Sequence, residues 1–184
     1  IYISEVDRPA LDCTGEQRAH RWDGLTARFA DEGFPPDLLA DMEHTNPARS
    51  MAPPESGRYE SLTDGQVLEA GGFALRCLLM PGHTPGQMCF WLEKEGLMFL
   101  GDHVLFDITP NITAWPALPD ALGAYLESLD RIRAYAPVRA LPGHRGPGDL
   151  AARVDQLKEH HRLRLEEALK AVREHPGTGA YELA

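Results

Sequence analysis

The spacing of hydrophobic and polar positions changes character near residue 66, and the change separates a helical stretch from a sheet-forming one. Ahead of it, the apolar opening Ile1-Tyr2-Ile3-Ser4 predicts a short strand. Residues 9–46 then carry Trp22, Leu25, Phe29, Phe34, Leu38, Leu39 and Met42 at helical spacing, interrupted at Gly33 and Pro35-Pro36, which predicts two helices and a turn. These helices are expected either to pack on each other or to cap a site. Residues 47–57, rich in proline and small polar side chains, read as a connector.

Beyond residue 66, apolar runs at 67–68, 73–80, 88–92 and 97–100 are bounded by glycine or proline and predict a meander of strands. Glu93-Lys94-Glu95-Gly96 reads as the hairpin turn between the last two. Leu122, Leu126, Leu129 and Ile132 recur three and four residues apart, which predicts a helix over 119–135. A strand follows at 138–141. The last helix starts at the N-cap Asp149 and keeps Leu150, Val154, Leu157, His161, Leu165 and Ala168 on one face. Alternating strands and helices make the chain an α/β layered fold.

Composition narrows the function. A chain of 184 residues fits one domain with its own core, and 43% hydrophobic with 25% charged residues is ordinary for a globular protein. A net charge of −10 opposes a general grip on phosphates, so nucleic acid is not an expected partner. No apolar run approaches the length that crosses a bilayer, and no membrane partner is expected. Cys13, Cys77 and Cys89 form no paired motif; Cys77 and Cys89 lie in strand-like runs as reduced core residues, which points to a cytoplasmic setting.

Candidate chemistry sits in three loops that each follow a strand: Pro81-Gly82-His83-Thr84-Pro85-Gly86, Gly101-Asp102-His103 and Leu141-Pro142-Gly143-His144. Prolines fix the backbone around His83 while glycines allow close approach. Asp102 places an anion where an apolar strand stops, which is costly without a hydrogen bond or a cation. An Asp satisfied by backbone amides is the alternative. His144 repeats the design of His83. Imidazoles with a carboxylate form a donor set for zinc and related first-row metals, and no serine or cysteine nucleophile is required. His103 beside Asp102 is a candidate to orient water or a ligand, and Arg145 to bind an anionic substrate. Phe106 and Trp115, in the apolar connection 104–116, are candidates to wall a substrate pocket or form a dimer contact. His160 and His161, near the end of a charged helix, are expected to be solvated or satisfied by the helix dipole, not to be ligands.

These loops, in this order, resemble the metallo-β-lactamase superfamily, whose later motifs are a Gly-His-Thr-x-Gly-like loop, a Gly-Asp strand end and a Gly-His loop. The resemblance runs from Tyr59 to the C-terminus. It implies part of a four-layer αββα sandwich with an N-terminal helical insertion and a long C-terminal helix. Within residues 1–184 it would divide into insertion and connector (9–57), strands and metal loops (58–148) and a C-terminal helical segment (149–184). By the same resemblance His83 is a ligand of one metal, His144 of a second, and Asp102 the catalytic carboxylate bridging them. Two Zn2+ are implied, with iron or manganese as substitutes.

The implied reaction is hydrolysis of a small-molecule ester, thioester or lactone by metal-bound hydroxide. The family's His-x-His-x-Asp-His motif is absent, so the chain is expected to start after the first half of the fold, and alone to bind a single metal weakly and be inactive. Two other readings stand beside this one. An RNA-processing metallonuclease would use the basic cluster Arg153, Lys158, Arg162 and Arg164, and a degenerate member would act through association, as a homodimer for example.

Overall fold

Two sheets carry the strands of the computed structural model, which describes residues 1–11, 15–45 and 58–183, apart from the side chains of residues 15–22 and 43. In the smaller sheet, β1 (Tyr2–Ser4) pairs in parallel with β2 (Glu60–Leu62), Ile3 standing opposite Ser61. The larger sheet has five strands in chain order: β3 (Val67–Ala70), β4 (Phe73–Leu79), β5 (Met88–Leu92), β6 (Leu97–Gly101) and β7 (Arg139–Pro142). The first four form an antiparallel meander, and β7 then joins β6 in parallel. Glu93 to Gly96 makes the tight turn between β5 and β6, with the Gly96 amide donating to the Glu93 carbonyl.

Six helices occur among the described residues: α1 (Arg8–Leu11), α2 (Gly15–Asp31), α3 (Pro36–Thr45), α4 (Ala121–Ala134), α5 (Leu150–Glu174) and α6 (Ala180–Leu183). Asp120 caps α4 by accepting from the Gly123 amide at 2.8 Å, and Asp149 caps α5 by accepting from the Ala152 amide at 3.0 Å. Among the described residues no helix is long and apolar enough to cross a membrane. The connector 47–57 and Cys13 lie outside the described residues, as do the side chains of His20 and Trp22.

The chain divides into two compact units, one of Ile1–Pro9 with Arg58–His161 and one of Ala10–Gly57 with Arg162–Ala184. In the second unit, Gly33 ends α2 in a left-handed conformation (φ 90°), and Phe34 packs between Phe29 and Tyr181 with ring centroids 5.1 and 4.7 Å away. The Tyr181 amide donates to the Glu32 carbonyl, which ties the start of α6 to the end of α2.

In the first unit, one sheet face buries its alternate residues Leu78, Met80, Cys89, Met98, Leu100 and Ala140 against α4 and α5. Cys77 and Cys89 are both buried and unpaired, which suits their strand positions. The helix stripes differ from the spacing argument. In α4 the buried positions are Ala121, Tyr125, Ser128, Leu129 and Ile132, while Leu122 and Leu126 are only half-buried, because the sheet meets a face centred on Tyr125. In α5 only Leu150, Val154 and Leu157 are buried; the first unit ends at His161, and Leu165 beyond it is 49% exposed. His161 is half-buried rather than fully solvated. Its ring lies edge-on to Tyr125 at 5.6 Å, and burial, helped by neighbouring His160, pulls its pKa down.

These contacts separate two leucines that the pattern alone makes equivalent. Leu100→Ala, in the packed sheet face, should cost about 2–5 kcal/mol in chemical denaturation. Leu165→Ala should stay within about 0.5 kcal/mol.

Candidate metal centre

Strand direction decides where the three candidate loops emerge. Because β5 is antiparallel to both neighbours, β4 and β6 run the same way, and β7 follows β6 in parallel. The C-terminal ends of β4, β6 and β7 therefore open on one edge of the sheet, and His83, Asp102 and His144 follow those ends. A register shift between Phe99 and Gly101 adds one residue to β6 against β7. Gly101 then adopts a left-handed conformation (φ 55°), which turns the chain and presents Asp102. The Gly143 amide donates to the Gly101 carbonyl at 2.7 Å and extends the ladder by one rung, bringing His144 alongside.

Each loop is seated closely. A Cβ on Gly82 would stand 2.6 Å from the Tyr125 Cβ, and the Ser128 hydroxyl donates to the Pro81 carbonyl at 2.9 Å, so the His83 loop rests directly on α4. The Trp115 indole donates to the His83 carbonyl at 3.0 Å. Sequence reasoning named Trp115 as a pocket wall; the structure gives it a hydrogen bond to the candidate ligand's backbone. A Cβ on Gly143 would lie 2.6 Å from an Asp102 carboxylate oxygen, so only glycine lets that strand pass.

The side chains come together around the carboxylate. Asp102 Oδ2 stands 3.7 Å from His83 Nε2, and Oδ1 stands 3.4 Å from His144 Nε2. His83 Nδ1 lies 2.8 Å from the Asn111 carbonyl. A carbonyl can only accept, so Nδ1 carries the proton and, in the neutral ring, Nε2 turns a lone pair toward a carboxylate oxygen. Lone pair against anion is unfavourable unless a cation or a proton lies between them. Two donors on one tetrahedral zinc, each at about 2.0–2.2 Å, are separated by roughly 3.4 Å, close to both separations here. Among the described residues no three His, Cys, Asp or Glu side chains surround a single point as a metal cage would. The arrangement is instead one imidazole per carboxylate oxygen. A cleft of about 340 Å³ opens beside His83 and Asp102, with Thr84, Gln87, Met88 and Phe90 on its walls.

The other candidates are placed differently. His103 is fully buried, edge-on to Tyr125 at 5.3 Å, and burial pushes its pKa down to about 4. That corrects the expectation that it orients water or a ligand, because the ring is enclosed in the core. Phe106 packs over Gly148 and against the main core, and Arg145 stands exposed beside His144 with a left-handed backbone (φ 65°). The groups paired with the Asp102 carboxylate are His83 and His144. Asn111 was missed because it acts through its backbone carbonyl, for which side-chain identity gives no signal.

The basic cluster is engaged internally. Arg153 donates to the Leu105 and Ile108 carbonyls, and Lys158 pairs with Asp130 at 2.6 Å. Arg162 and Arg164 pair with Glu166 and Glu167 along α5.

Residues 13–144, most of the chain, match the family described as the metallo-beta-lactamase superfamily. The chain belongs to that superfamily. A metallo-beta-lactamase family protein of Thermus thermophilus superposes with a TM-score of 0.79 at 29% identity, covering 100% of this chain and 58% of that one. A beta-lactamase domain protein of Burkholderia ambifaria gives 0.68 at 28% identity, over 92% of this chain and 49% of its own. Among curated relatives, the atrochrysone carboxyl ACP thioesterase of Aspergillus chevalieri is 32% identical over 146 residues, 77% of this chain and 44% of that protein. A lactamase-like protein of Neosartorya fischeri is 31% identical over 123 residues, 65% of this chain and 34% of its own length. The chain thus spans less than half the length of these curated relatives. The α/β class and long C-terminal helix expected from the sequence are those of this metallo-beta-lactamase fold.

Gly143→Ala tests the tight seating of the third loop. The added methyl meets the Gly101 backbone and the Asp102 carboxylate, so urea denaturation should register a loss of about 1–3 kcal/mol.

Proposed function

We propose that this chain contributes His83, Asp102 and His144 to the metal centre of a hydrolase that cleaves thioesters. The observation that carries the reading is the Asp102 carboxylate with an imidazole nitrogen beside each oxygen, at 3.7 and 3.4 Å. The Asn111 carbonyl accepts from Nδ1 of His83, which in the neutral ring leaves Nε2 as the lone-pair donor a ligand needs. Asp102 offers one oxygen to the His83 side and the other to the His144 side, so it spans two cation positions. Zinc suits the imidazole and carboxylate donors best, with iron or manganese next, and ions bound there would supply Lewis acidity and a water nucleophile of lowered pKa. Further ligands must complete the two coordination shells, and the isolated 184-residue chain is therefore expected to bind at most one ion, weakly.

Similarity to a protein named as an ACP thioesterase favours a thioester over a plain ester or lactone. The metallonuclease reading is less favoured, because the arginines and lysine invoked for RNA have partners within the chain that phosphates would have to displace. Exposed Arg145, next in the chain to His144, is a candidate partner for an anionic group on the substrate.

The test is metal content with turnover of a panel of acyl thioesters, esters, lactones and RNA, using the whole protein that contains this sequence. Thioesters should be turned over fastest, chelation should abolish activity, and Zn2+ should restore it. Since loss of a residue that merely supports a ligand costs about 10- to 100-fold, Asp102→Ala should lower activity by at least about 100-fold, with loss of bound metal. An Asp102→Ala protein with full metal and full activity would overturn the bridge. A metal-free, inactive whole protein would favour a role in association instead.

A further inference from the structure

We infer that Asp7 is a positioning residue for His83, acting through the loop that carries the imidazole. Asp7 lies in the turn after β1, and its carboxylate is divided between two donors far along the chain. Oδ2 accepts from the Thr84 hydroxyl at 2.6 Å, and Oδ1 accepts from the Gly86 amide at 2.8 Å. Thr84 directly follows His83, and Gly86 stands on the far side of Pro85, which has no amide to offer. The carboxylate therefore clamps the apex of the loop immediately downstream of the candidate ligand. Hydrogen bonds to an ionised acceptor are the stronger kind, and these two are short.

The post that holds the clamp is itself anchored. Ser4, almost fully buried at the end of β1, accepts from the Val6 amide at 3.2 Å, and the Glu5 amide donates to the Leu62 carbonyl of β2 at 2.9 Å. The turn bearing Asp7 is thus tied to the parallel pair of strands. Gly86 is built for the contact: a Cβ there would lie 2.6 Å from both the Asp7 carboxyl carbon and the Ser4 hydroxyl oxygen. No larger residue lets the carboxylate close on the amide.

The consequence falls on the His83 ring. Its orientation and tautomer rest on one hydrogen bond from Nδ1 to the Asn111 carbonyl, and that bond survives only while the loop stays in place. Asp7 restrains the loop from the β1 side as Trp115 restrains it from the other, through the His83 carbonyl. Releasing the Asp7 clamp lets the ring leave Asn111 and exchange its proton between the two nitrogens. This deepens the reading of the site as a metal centre, but the ring's tautomer is defined without metal, so the two ideas fail separately.

The experiment follows the imidazole nitrogens of the metal-free full chain by long-range proton–nitrogen correlation NMR at about pH 8, above the ordinary imidazole pKa. In the parent protein His83 should show one tautomer, protonated at Nδ1. Asp7→Ala should average its two nitrogen signals while leaving those of His144 unchanged, and Asp7→Asn, which keeps an acceptor, should restore most of the single-tautomer signal. Zn2+ affinity should fall by about 10- to 100-fold in Asp7→Ala, the loss usual for a residue that orients a ligand. Should Asp7→Ala fail to fold, Thr84→Val removes one of the two donors and carries the same comparison. A variant that melts earlier but keeps the parent His83 tautomer and Zn2+ affinity overturns the inference and leaves Asp7 a purely structural residue.

Discussion

Strand direction governs this molecule more than any single contact. With β5 opposed to both its neighbours and β7 parallel to β6, three strands deliver their C-terminal ends to one edge of the sheet. Side chains 83, 102 and 144, far apart in the chain, meet there without any long excursion of the backbone. The long connection that returns the chain to lay down β7 includes α4, and α4 covers the same sheet face that the core residues occupy. Sheet, covering helix and candidate site are thus three results of one topological choice.

Tyr125 is where packing and site meet. It is fully buried in α4, its ring touches both His103 and His161, and its hydroxyl donates to the His103 carbonyl at 3.0 Å. Gly82 lies against its Cβ, so the loop carrying His83 has the same support as the strand end carrying Asp102. The core therefore sets the relative position of an imidazole and a carboxylate through a residue that touches neither. Rigid support of this kind is what a metal site needs, because ligands held loosely lose affinity to the entropy of ordering them.

Much of this was legible from residue order. Apolar runs bounded by glycine and proline marked the strands of the meander, and the Glu93 to Gly96 turn, the Asp149 cap and the strand-end positions of His83, Asp102 and His144 followed from local chemistry. What stayed hidden depended on distant partners. β2 has no apolar run, and Glu60-Ser61-Leu62 is a strand because β1 lies beside it. In α4 the pattern found Leu129 and Ile132 but set Leu122 and Leu126 ahead of Tyr125, because leucines count for more than a tyrosine in a periodicity argument, although here the tyrosine is the fully buried residue. His103 looked available because histidine is polar and it stands beside Asp102; it lies against Tyr125 instead. The partners of the basic residues of α5 were hidden as well, since Asp130, which pairs with Lys158, lies on another helix.

The extra residue in β6 has a consequence for how this segment can vary in length. Met98 and Leu100 face the helices while Phe99 faces away, and the register shift before Gly101 is what lets that alternation end with Asp102 at the sheet edge. Inserting or deleting a single codon between positions 97 and 101 would reverse the alternation, turning an aromatic ring into the packed layer and carrying the aspartate to the other side of the sheet. Glu93 to Glu95 in the turn, a few residues earlier and exposed, face no such restriction. Length polymorphism should accumulate at the turn and be purged from the strand that follows it.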